Sequence, residues 1–440
     1  MQVGARQQIA VPDVVISAQR LITPVGERSG RLTVRGGRIA EIDAFGPADV
    51  VVPDSCVLLP GLVDSHVHVN EPGRTDWEGF ASATAAAAAG GVTTIVDMPL
   101  NSIPPTTTVD GLRVKQAAAR GAVHVDTAFW GGAVPGNLAD LHPLHDAGVV
   151  GFKCFLLPSG VDEFGFLDRA QLHAAMEQIA SFDGLLIAHA EDPASIAEPA
   201  GPSYAEFVAS RPPEAEARAV SALLDAARET GCRTHIVHVS AAEVLPLLAQ
   251  ARAEGLPVTA ETCPQYLTLT AEDAGGTEFK CCPPVRSADN RGALWQGLRD
   301  GVLDCVVSDH SPCPPALKAG GFDTAWGGIA SVQLGLAAVW TEAARRGFTL
   351  ADIVRWMSAG PARLAGLPAK GAIAPGFDAD FAVVDPDATW TVDPARLRQR
   401  HLVTPYAGVT LRGVVRETWL RGRPVDGMTP HGRLLTRGAS

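Results

Sequence analysis

The chain has no apolar run near the ~20 residues that a transmembrane helix needs. It has no block of lysines or arginines, and its net charge is −12, which argues against a nucleic-acid or anionic-membrane surface. Residues 1–6 lack the pattern of a signal peptide. The eight cysteines include no Cys-x-x-Cys pair, so reduced core thiols are expected rather than disulfides. These absences predict a cytoplasmic protein that binds neither nucleic acid nor membrane.

Composition and strand texture predict a large domain with a smaller companion. Apolar residues make up 46% of the 440 residues and charged residues 19%, which is typical of a folded globular protein. Short alternating strands with turn glycines occupy the first ~58 residues and return after Lys370. We therefore predict a small β-sandwich built from residues 1–58 and from residues 366–440, which include the C-terminal tail. Residues 59–365 would form the larger domain.

The middle of the chain alternates apolar strands with helical stretches, which is the pattern of βα units and a parallel sheet. The candidate strands are 62–68, 91–98, 122–130, 148–155, 184–190, 233–239, 256–262 and 302–309. Eight such strands predict an α/β fold with a closed (β/α)8 TIM barrel. An open doubly wound sheet is the alternative, because the strand count is compatible with both.

Side chains that bind metals stand at the predicted carboxyl ends of these strands, where barrels of this type place catalytic groups. The first strand ends in His66 and His68, and because alternate strand residues share a face, both imidazoles are expected to point to one spot. Lys153 ends the fourth strand, His189 the fifth and Asp309 the eighth. Each residue alone is a weak signal, but together they predict a metal site.

The sixth strand carries two histidines, His235 and His238. Residues i and i+3 of a strand point to opposite faces, so strand parity allows only one of them to face the barrel interior. We predict that His238 points inward and joins the metal ligands, and that His235 faces the surrounding helices.

Lys153 needs its own explanation, because an ammonium cannot bind a metal cation. The side chain is either a neutral amine of depressed pKa or a carbamate formed with carbon dioxide. A carbamate can bridge two divalent ions, which can share a hydroxide that is nucleophilic at neutral pH and can polarise a carbonyl. Asp309 would then ligate one ion, take the proton of the attacking water and return it to the leaving nitrogen. This is the chemistry of amide-bond hydrolysis.

At these residues the chain resembles the cyclic amidohydrolases of the amidohydrolase superfamily, a group of hydantoinases, dihydropyrimidinases, dihydroorotases and allantoinases. Residues 370–380 resemble the turn-rich segment with which these enzymes re-enter their β-sandwich. The resemblance implies a homotetramer and, in each subunit, two divalent ions bridged by a carboxylated Lys153, with zinc first and cobalt, iron, nickel or manganese as alternatives. The remaining ligands that it implies are His66, His68 and Asp309 for the more buried ion, and His189 and His238 for the more exposed one.

Short segments discriminate among these enzymes. Dihydroorotases typically carry an arginine where this chain has Asn70, which cannot make the same bidentate pair with a substrate carboxylate. Dihydropyrimidinases place a tyrosine where this chain has Pro158. The segments that resemble allantoinases are 149–155, 308–315, 318–320, 325–330 and 404–408. One departure is Cys282, where allantoinases usually have a serine, so a hydroxyl contact with the substrate would be lost.

The resemblance implies hydrolysis of the cyclic amide of allantoin to allantoate, a step of purine and ureide catabolism. The alternative is a hydantoinase or dihydropyrimidinase of broader specificity, which Cys282 and Pro158 leave open. A third hypothesis is a non-catalytic scaffold, which the complete set of six ligand positions opposes. The predicted substrate contacts are Asn101, Cys282, Gly327 and Gly328, although Asn101 equally suits a turn before Ile103.

Overall fold

The computed structural model describes residues 13–438, so the expectation for residues 1–6 lies outside the described residues. No helix among residues 13–438 is both long enough and apolar enough to cross a membrane. In chain order the strands are β1 (Val14–Thr23), β2 (Gly26–Arg35), β3 (Arg38–Asp43), β4 (Val50–Val51), β5 (Val57–Pro60), β6 (Leu62–Val67), β7 (Val92–Asp97), β8 (Asp126–Phe129), β9 (Gly131–Gly132), β10 (Phe152–Phe155), β11 (Leu185–His189), β12 (Arg233–Ile236), β13 (Val258–Thr262), β14 (Cys305–Val306), β15 (Phe381–Thr391), β16 (Thr410–Leu420) and β17 (Arg423–Pro424).

The helices lie mainly between the parallel strands. In chain order they are α1 (Phe80–Ala89), α2 (Val109–Ala119), α3 (Leu141–Asp146), α4 (Arg169–Ala180), α5 (Tyr204–Ser210), α6 (Pro213–Thr230), α7 (Val244–Ala253), α8 (Pro264–Thr268), α9 (Ala288–Arg299), α10 (Gly335–Arg345), α11 (Leu350–Val354) and α12 (Gly360–Leu364). A π-helical turn, Arg355–Ala359, joins the last two. The 3₁₀ helices are Leu138–Asp140, Pro193–Ser195, Ala271–Asp273, Thr277–Phe279, Pro315–Lys318 and Pro394–Arg396.

Strands β6 to β14 form the predicted barrel. β6, β7 and β8 pair in parallel in one sheet, and β9 to β14 pair in parallel in a second. Only Trp130 separates β8 from β9, so the two together count as one of the eight strands of the barrel. A parallel bridge between Val67 and His310 joins the first strand to the segment after the last and closes the ring. The (β/α)8 prediction is confirmed, and the open-sheet alternative is wrong.

The barrel interior is packed with side chains below its carboxyl end. Val96, Ala128, Trp130, Ile187 and Val237 belong to one buried cluster inside the barrel. The Trp130 indole donates to the carbonyl oxygen of Ser65 at 2.8 Å, so its one polar atom is satisfied. Because this layer fills the interior, polar chemistry is confined to the carboxyl end of the strands.

Both ends of the chain contribute to a second sheet, which confirms the predicted β-sandwich. Its strand order is β17-β16-β15-β5-β1-β2-β3, with β4 paired to β1. The chain passes from β5 into the barrel through Gly61, where a Cβ would come within 2.1 Å of the Thr93 side chain. The domain boundaries at residues 58/59 and 365/366 stay a prediction.

A buried cluster of charges connects the sandwich to the amino end of the barrel. The Nζ atom of Lys370 lies 2.6 Å from a carboxylate oxygen of Asp126 and 2.6 Å from one of Asp380. Arg421 pairs with the same Asp126 at 2.6 Å. Breaking a buried pair leaves an uncompensated charge, so this cluster opposes any change in the orientation of the β-sandwich relative to the barrel.

Candidate active site

All the residues predicted for the metal site and the substrate contacts line one cavity of about 80 Å³ at the carboxyl end of the barrel. We call it the inner cavity, and its lining residues are His66, His68, Leu100, Asn101, Lys153, Phe155, Ser159, His189, His238, Cys281, Cys282, Asp309, Ser311, Trp326, Gly327 and Gly328. The strand-end rule therefore placed the six candidate metal ligands correctly on one cavity.

His66, His68 and Asp309 offer three ligand atoms that all lie within 4.8 Å of one another. The Nε2 atoms of His66 and His68 lie 3.2 and 3.5 Å from Oδ1 of Asp309. Nδ1 of His66 donates to Oε1 of Glu261 at 2.6 Å, so the neutral ring presents an unprotonated Nε2 to that carboxylate. Facing lone pairs repel unless a cation lies between them, and this donor set suits a divalent metal ion.

The protonation states favour metal binding at the same three residues. Burial lowers the pKa of His68 to about 4, so its ring is neutral at pH 7. Burial alone would raise the pKa of Asp309, but the nearby imidazoles of His66 and His68 bring it below its usual value. The carboxyl group of Asp309 is therefore ionised across the neutral range.

His189 and His238 lie beside this group, with ring centres 4.5 Å apart. Nε2 of His189 donates to Oε2 of Glu191 at 2.7 Å, which leaves Nδ1 of the neutral ring as a free ligand atom. Nδ1 of His238 is buried and has no hydrogen-bond partner among the described residues. Burial lowers the pKa of both imidazoles. Nδ1 of His189 and the unpartnered Nδ1 of His238 thus remain available to a second ion.

Lys153 projects from β10 into the inner cavity and is almost fully buried. Its Nζ atom lies 5.0 Å from the centre of the Phe155 ring, and within residues 13–438 it forms no ion pair. Burial lowers its pKa to about 8. An ammonium without a counter-ion among four imidazoles is unfavourable, so the environment favours the neutral amine or a modified form.

His235 does not face the helices, so that prediction is wrong. Its ring lies inside the barrel, where Nε2 donates to Oε2 of Glu261 at 3.0 Å and Nδ1 lies 2.7 Å from the hydroxyl of Thr259. Strand parity failed because β12 ends at Ile236 and His238 has a positive φ of 40°. A left-handed residue breaks the alternation, so both histidines reach the interior.

The sequence interpretation missed Glu261 and Glu191, which accept hydrogen bonds from the imidazoles of the candidate ligands. Glu261 bonds both His66 and His235, and Glu191 bonds His189 while Arg211 donates to it at 2.7 Å and 3.0 Å. Burial opposes ionisation, but these partners lower the pKa of each carboxyl to about 2. The available signals were a glutamate near the end of the seventh strand and a His-x-Glu spacing after the fifth.

Replacing Glu261 with glutamine is expected to weaken metal binding by roughly 10- to 100-fold, because an amide no longer orients His66 or raises its basicity. Metal affinity is measured by competition with a chromophoric chelator. The control is Glu342→Gln, which changes a glutamate that pairs with Arg345 and does not line the inner cavity. Equal affinities for wild type and Glu261→Gln would contradict the orienting role.

The inner cavity opens into a vestibule of about 570 Å³, and Phe155, Ser159, His189, Cys282, Trp326 and Gly327 line both. Pro158 lies on the vestibule only. Asn70 lies on neither, and its amide donates to the carbonyl oxygen of Pro312 at 3.2 Å. The Phe155 ring stacks on His189 at 4.8 Å, which fixes that imidazole from the cavity side.

Comparison with known proteins gives one consistent assignment. Residues 57–425 match the model of the Amidohydrolase family. The chain is 57% identical over 439 residues to an allantoinase from Streptomyces avermitilis, covering 97% of this chain and 99% of that protein. It is 48% identical over 384 residues to an allantoinase from Saccharomyces cerevisiae, covering 84% and 83%.

Solved structures agree on the fold. An L-hydantoinase (dihydropyrimidinase) from Arthrobacter aurescens superposes with a TM-score of 0.90 at 32% identity, covering 97% of this chain and 98% of that one. A dihydropyrimidinase from Brevibacillus agri superposes with a TM-score of 0.89 at 26% identity, covering 97% and 99%. The chain belongs to the amidohydrolase family, in the group that holds these allantoinases.

Proposed function

We propose that this enzyme hydrolyses the ring amide of allantoin to give allantoate. The observation that carries the proposal is a complete set of imidazole, lysine and carboxylate groups on one small cavity, in a chain that is 57% identical to an allantoinase. The high identity favours this substrate over those of the hydantoinases, which are similar at 32% identity or less among the structures compared.

Two divalent ions fit the donor atoms of the inner cavity. One would be held by His66, His68 and Asp309, and the other by the free ring nitrogens of His189 and His238. A carbamate on Lys153 would bridge them, and zinc is the first choice for imidazole and carboxylate ligands. When bound, such a pair lowers the pKa of a water molecule and polarises a carbonyl.

The carbamate forms when neutral Nζ of Lys153 adds to the carbon of CO2 and releases one proton. Only the neutral amine has the lone pair for this addition. The lowered pKa of about 8 supports the step, because it increases the neutral fraction at pH 7 by more than two orders of magnitude relative to a free lysine, as a rough estimate.

Asp309 would carry the proton during hydrolysis. As an ionised carboxylate it takes a proton from the water that attacks the ring carbonyl carbon. It then returns that proton to the ring nitrogen as the C–N bond breaks, which gives a neutral amide leaving group. The position of Asp309 supports this role, because its Oδ1 lies on the inner cavity, 3.2 Å from Nε2 of His66 and 3.5 Å from Nε2 of His68.

The substrate would lie between Asn101 and the backbone of Cys282, Gly327 and Gly328. Gly328 admits no side chain, since a Cβ would come within 2.3 Å of the carbonyl oxygen of Ser311. Asn101 has a buried Oδ1 without a partner among the described residues, while its Nδ2 lies 3.4 Å from Nδ1 of His68. The ring would occupy the inner cavity and the ureido group would extend toward the vestibule.

The test is purification of the full chain, metal analysis, and assay on allantoin, hydantoin, dihydrouracil and dihydroorotate. We expect two metal ions per chain and turnover of allantoin with the highest kcat/KM. Turnover of dihydrouracil or hydantoin but not of allantoin would contradict the substrate and support the broader hydantoinase alternative, which the 570 Å³ vestibule favours. A purified protein that holds no metal and turns over none of these substrates would support the scaffold hypothesis.

We further propose a cytoplasmic homotetramer. All eight cysteines are free thiols, which is compatible with a reducing compartment. Sedimentation analysis of the metal-loaded protein tests the assembly, and a monomer at micromolar concentration would contradict it.

A further inference from the structure

Lys318 stands at the end of the 3₁₀ helix Pro315–Lys318 and binds three backbone carbonyl groups. Its Nζ atom donates to the carbonyl oxygens of Lys280 at 3.2 Å, Trp326 at 2.9 Å and Gly328 at 2.7 Å. An ammonium has three N–H donors and no acceptor, so all its hydrogen-bonding capacity is used. Gly328 N also donates to the oxygen of Lys280 at 2.8 Å, which ties the same two segments together.

The charge of Lys318 has no carboxylate partner. Within residues 13–438 it takes part in no ion pair, and burial lowers its pKa. A partly buried ammonium without a counter-ion costs free energy, which the three carbonyl dipoles offset. The positive charge therefore acts on the peptide groups that it touches rather than on an acid.

Two of these peptide groups present their N–H on the side away from Lys318. In a trans peptide unit the N–H points opposite to the C=O, so the N–H groups of Cys281 and Gly327 point away from the ammonium. Both residues line the inner cavity. Among residues 13–438 neither N–H has a hydrogen-bond acceptor. A cation on the carbonyl oxygen withdraws electron density from its peptide group and strengthens the N–H as a donor.

We propose that Lys318 is a positioning residue for substrate binding. It holds the segments 281–282 and 326–328 at a fixed spacing, and it polarises the N–H groups of Cys281 and Gly327 toward a carbonyl oxygen of the cyclic ureide. This inference rests on the proposed function, because it needs a carbonyl-bearing ring in the inner cavity. Lys318 itself touches neither the metal ligands nor the substrate.

The test is Lys318→Met, which keeps the length of the side chain and removes the charge. We expect KM for allantoin and for hydantoin to rise at least tenfold, because both rings carry the carbonyl groups. Metal content should stay at the wild-type value and kcat should change less than threefold. Lys318→Gln provides a second variant, with a polar head that can bond two carbonyls at most, and an intermediate KM is expected for it.

The control is Ala316→Gly, which loosens the same short helix at an exposed residue without removing the ammonium. A wild-type KM in Lys318→Met, or the same KM increase in Ala316→Gly, would overturn the positioning role. Loss of metal together with kcat would also overturn it, because the effect would then be general unfolding of the site. Failure of the proposed function would look different: the wild-type enzyme itself would not turn over allantoin.

Discussion

The Asp309→Asn variant is expected to have a kcat roughly 100- to 10,000-fold lower than the wild type, because an amide cannot take or return the proton that hydrolysis moves. Its side chain keeps the shape and one oxygen ligand, so the loss should fall mainly on kcat. Steady-state kinetics at saturating metal measures it. Protonation of Asp309 should not lower the wild-type kcat between pH 7 and pH 6. The pKa of Asp309 lies below its usual value, so the carboxylate stays ionised in this range.

The matched control is Asp304→Asn. Asp304 comes just before β14, while Asp309 follows its carboxyl end, and Asp304 accepts from the backbone N–H of Ala260 at 2.8 Å. We expect this variant to lose stability while its kcat stays within twofold of the wild type. A kcat of Asp309→Asn above a tenth of the wild-type value, with both metals bound, would contradict the proton-carrying role.

The Lys153→Met variant is expected to lose bound metal and to lower kcat/KM by about 1,000-fold or more, because it could not form the carboxylate that we propose to bridge the two ions. Plasma mass spectrometry measures the metal content, with at most one ion per chain expected. Native mass spectrometry near pH 8 should give the wild-type chain about 44 Da above its sequence mass, which is the mass of the added CO2. The variant should have no such increment.

Carbon dioxide supplies an internal control. Since burial lowers the pKa of Lys153 to about 8, the neutral amine becomes more abundant as the pH rises from 7 to 8. Reconstitution of metal-free wild type should therefore be faster at pH 8 than at pH 7, and faster with added bicarbonate. Added bicarbonate should not change the rate at which the Lys153→Met variant takes up metal. Two tightly bound metals in Lys153→Met would contradict the bridge.

The sequence determined the barrel, the sandwich and the position of the candidate ligand residues. Continuous apolar strands separated by helical stretches predict a parallel barrel, and in such a barrel the strand ends meet on one face. Six residues at those ends could therefore be grouped by position along the chain alone. His66 and His68 were the simplest case, because two residues share one strand face.

Contacts from one strand to another could not be derived in this way. Glu261 supports His66 from β13, about two hundred residues further along the chain, and Lys318 binds carbonyl oxygens of two segments that are separate in sequence. His235 was misplaced because parity holds only within a regular strand, and the backbone of His238 leaves the β region. Such details depend on which strand lies beside which and on single φ angles.

The sequence by itself thus determined which residue types lie at the carboxyl end of the barrel, because the apolar pattern predicts where each strand runs and where it ends. Only the tertiary structure decided which nitrogen is free in the imidazoles of His66 and His189. That choice follows from carboxylates such as Glu191 and Glu261, which take one ring N–H and leave the other nitrogen unprotonated. The physical reason is that hydrogen bonds are directional and short, so tautomers are set by neighbours in space and not along the chain.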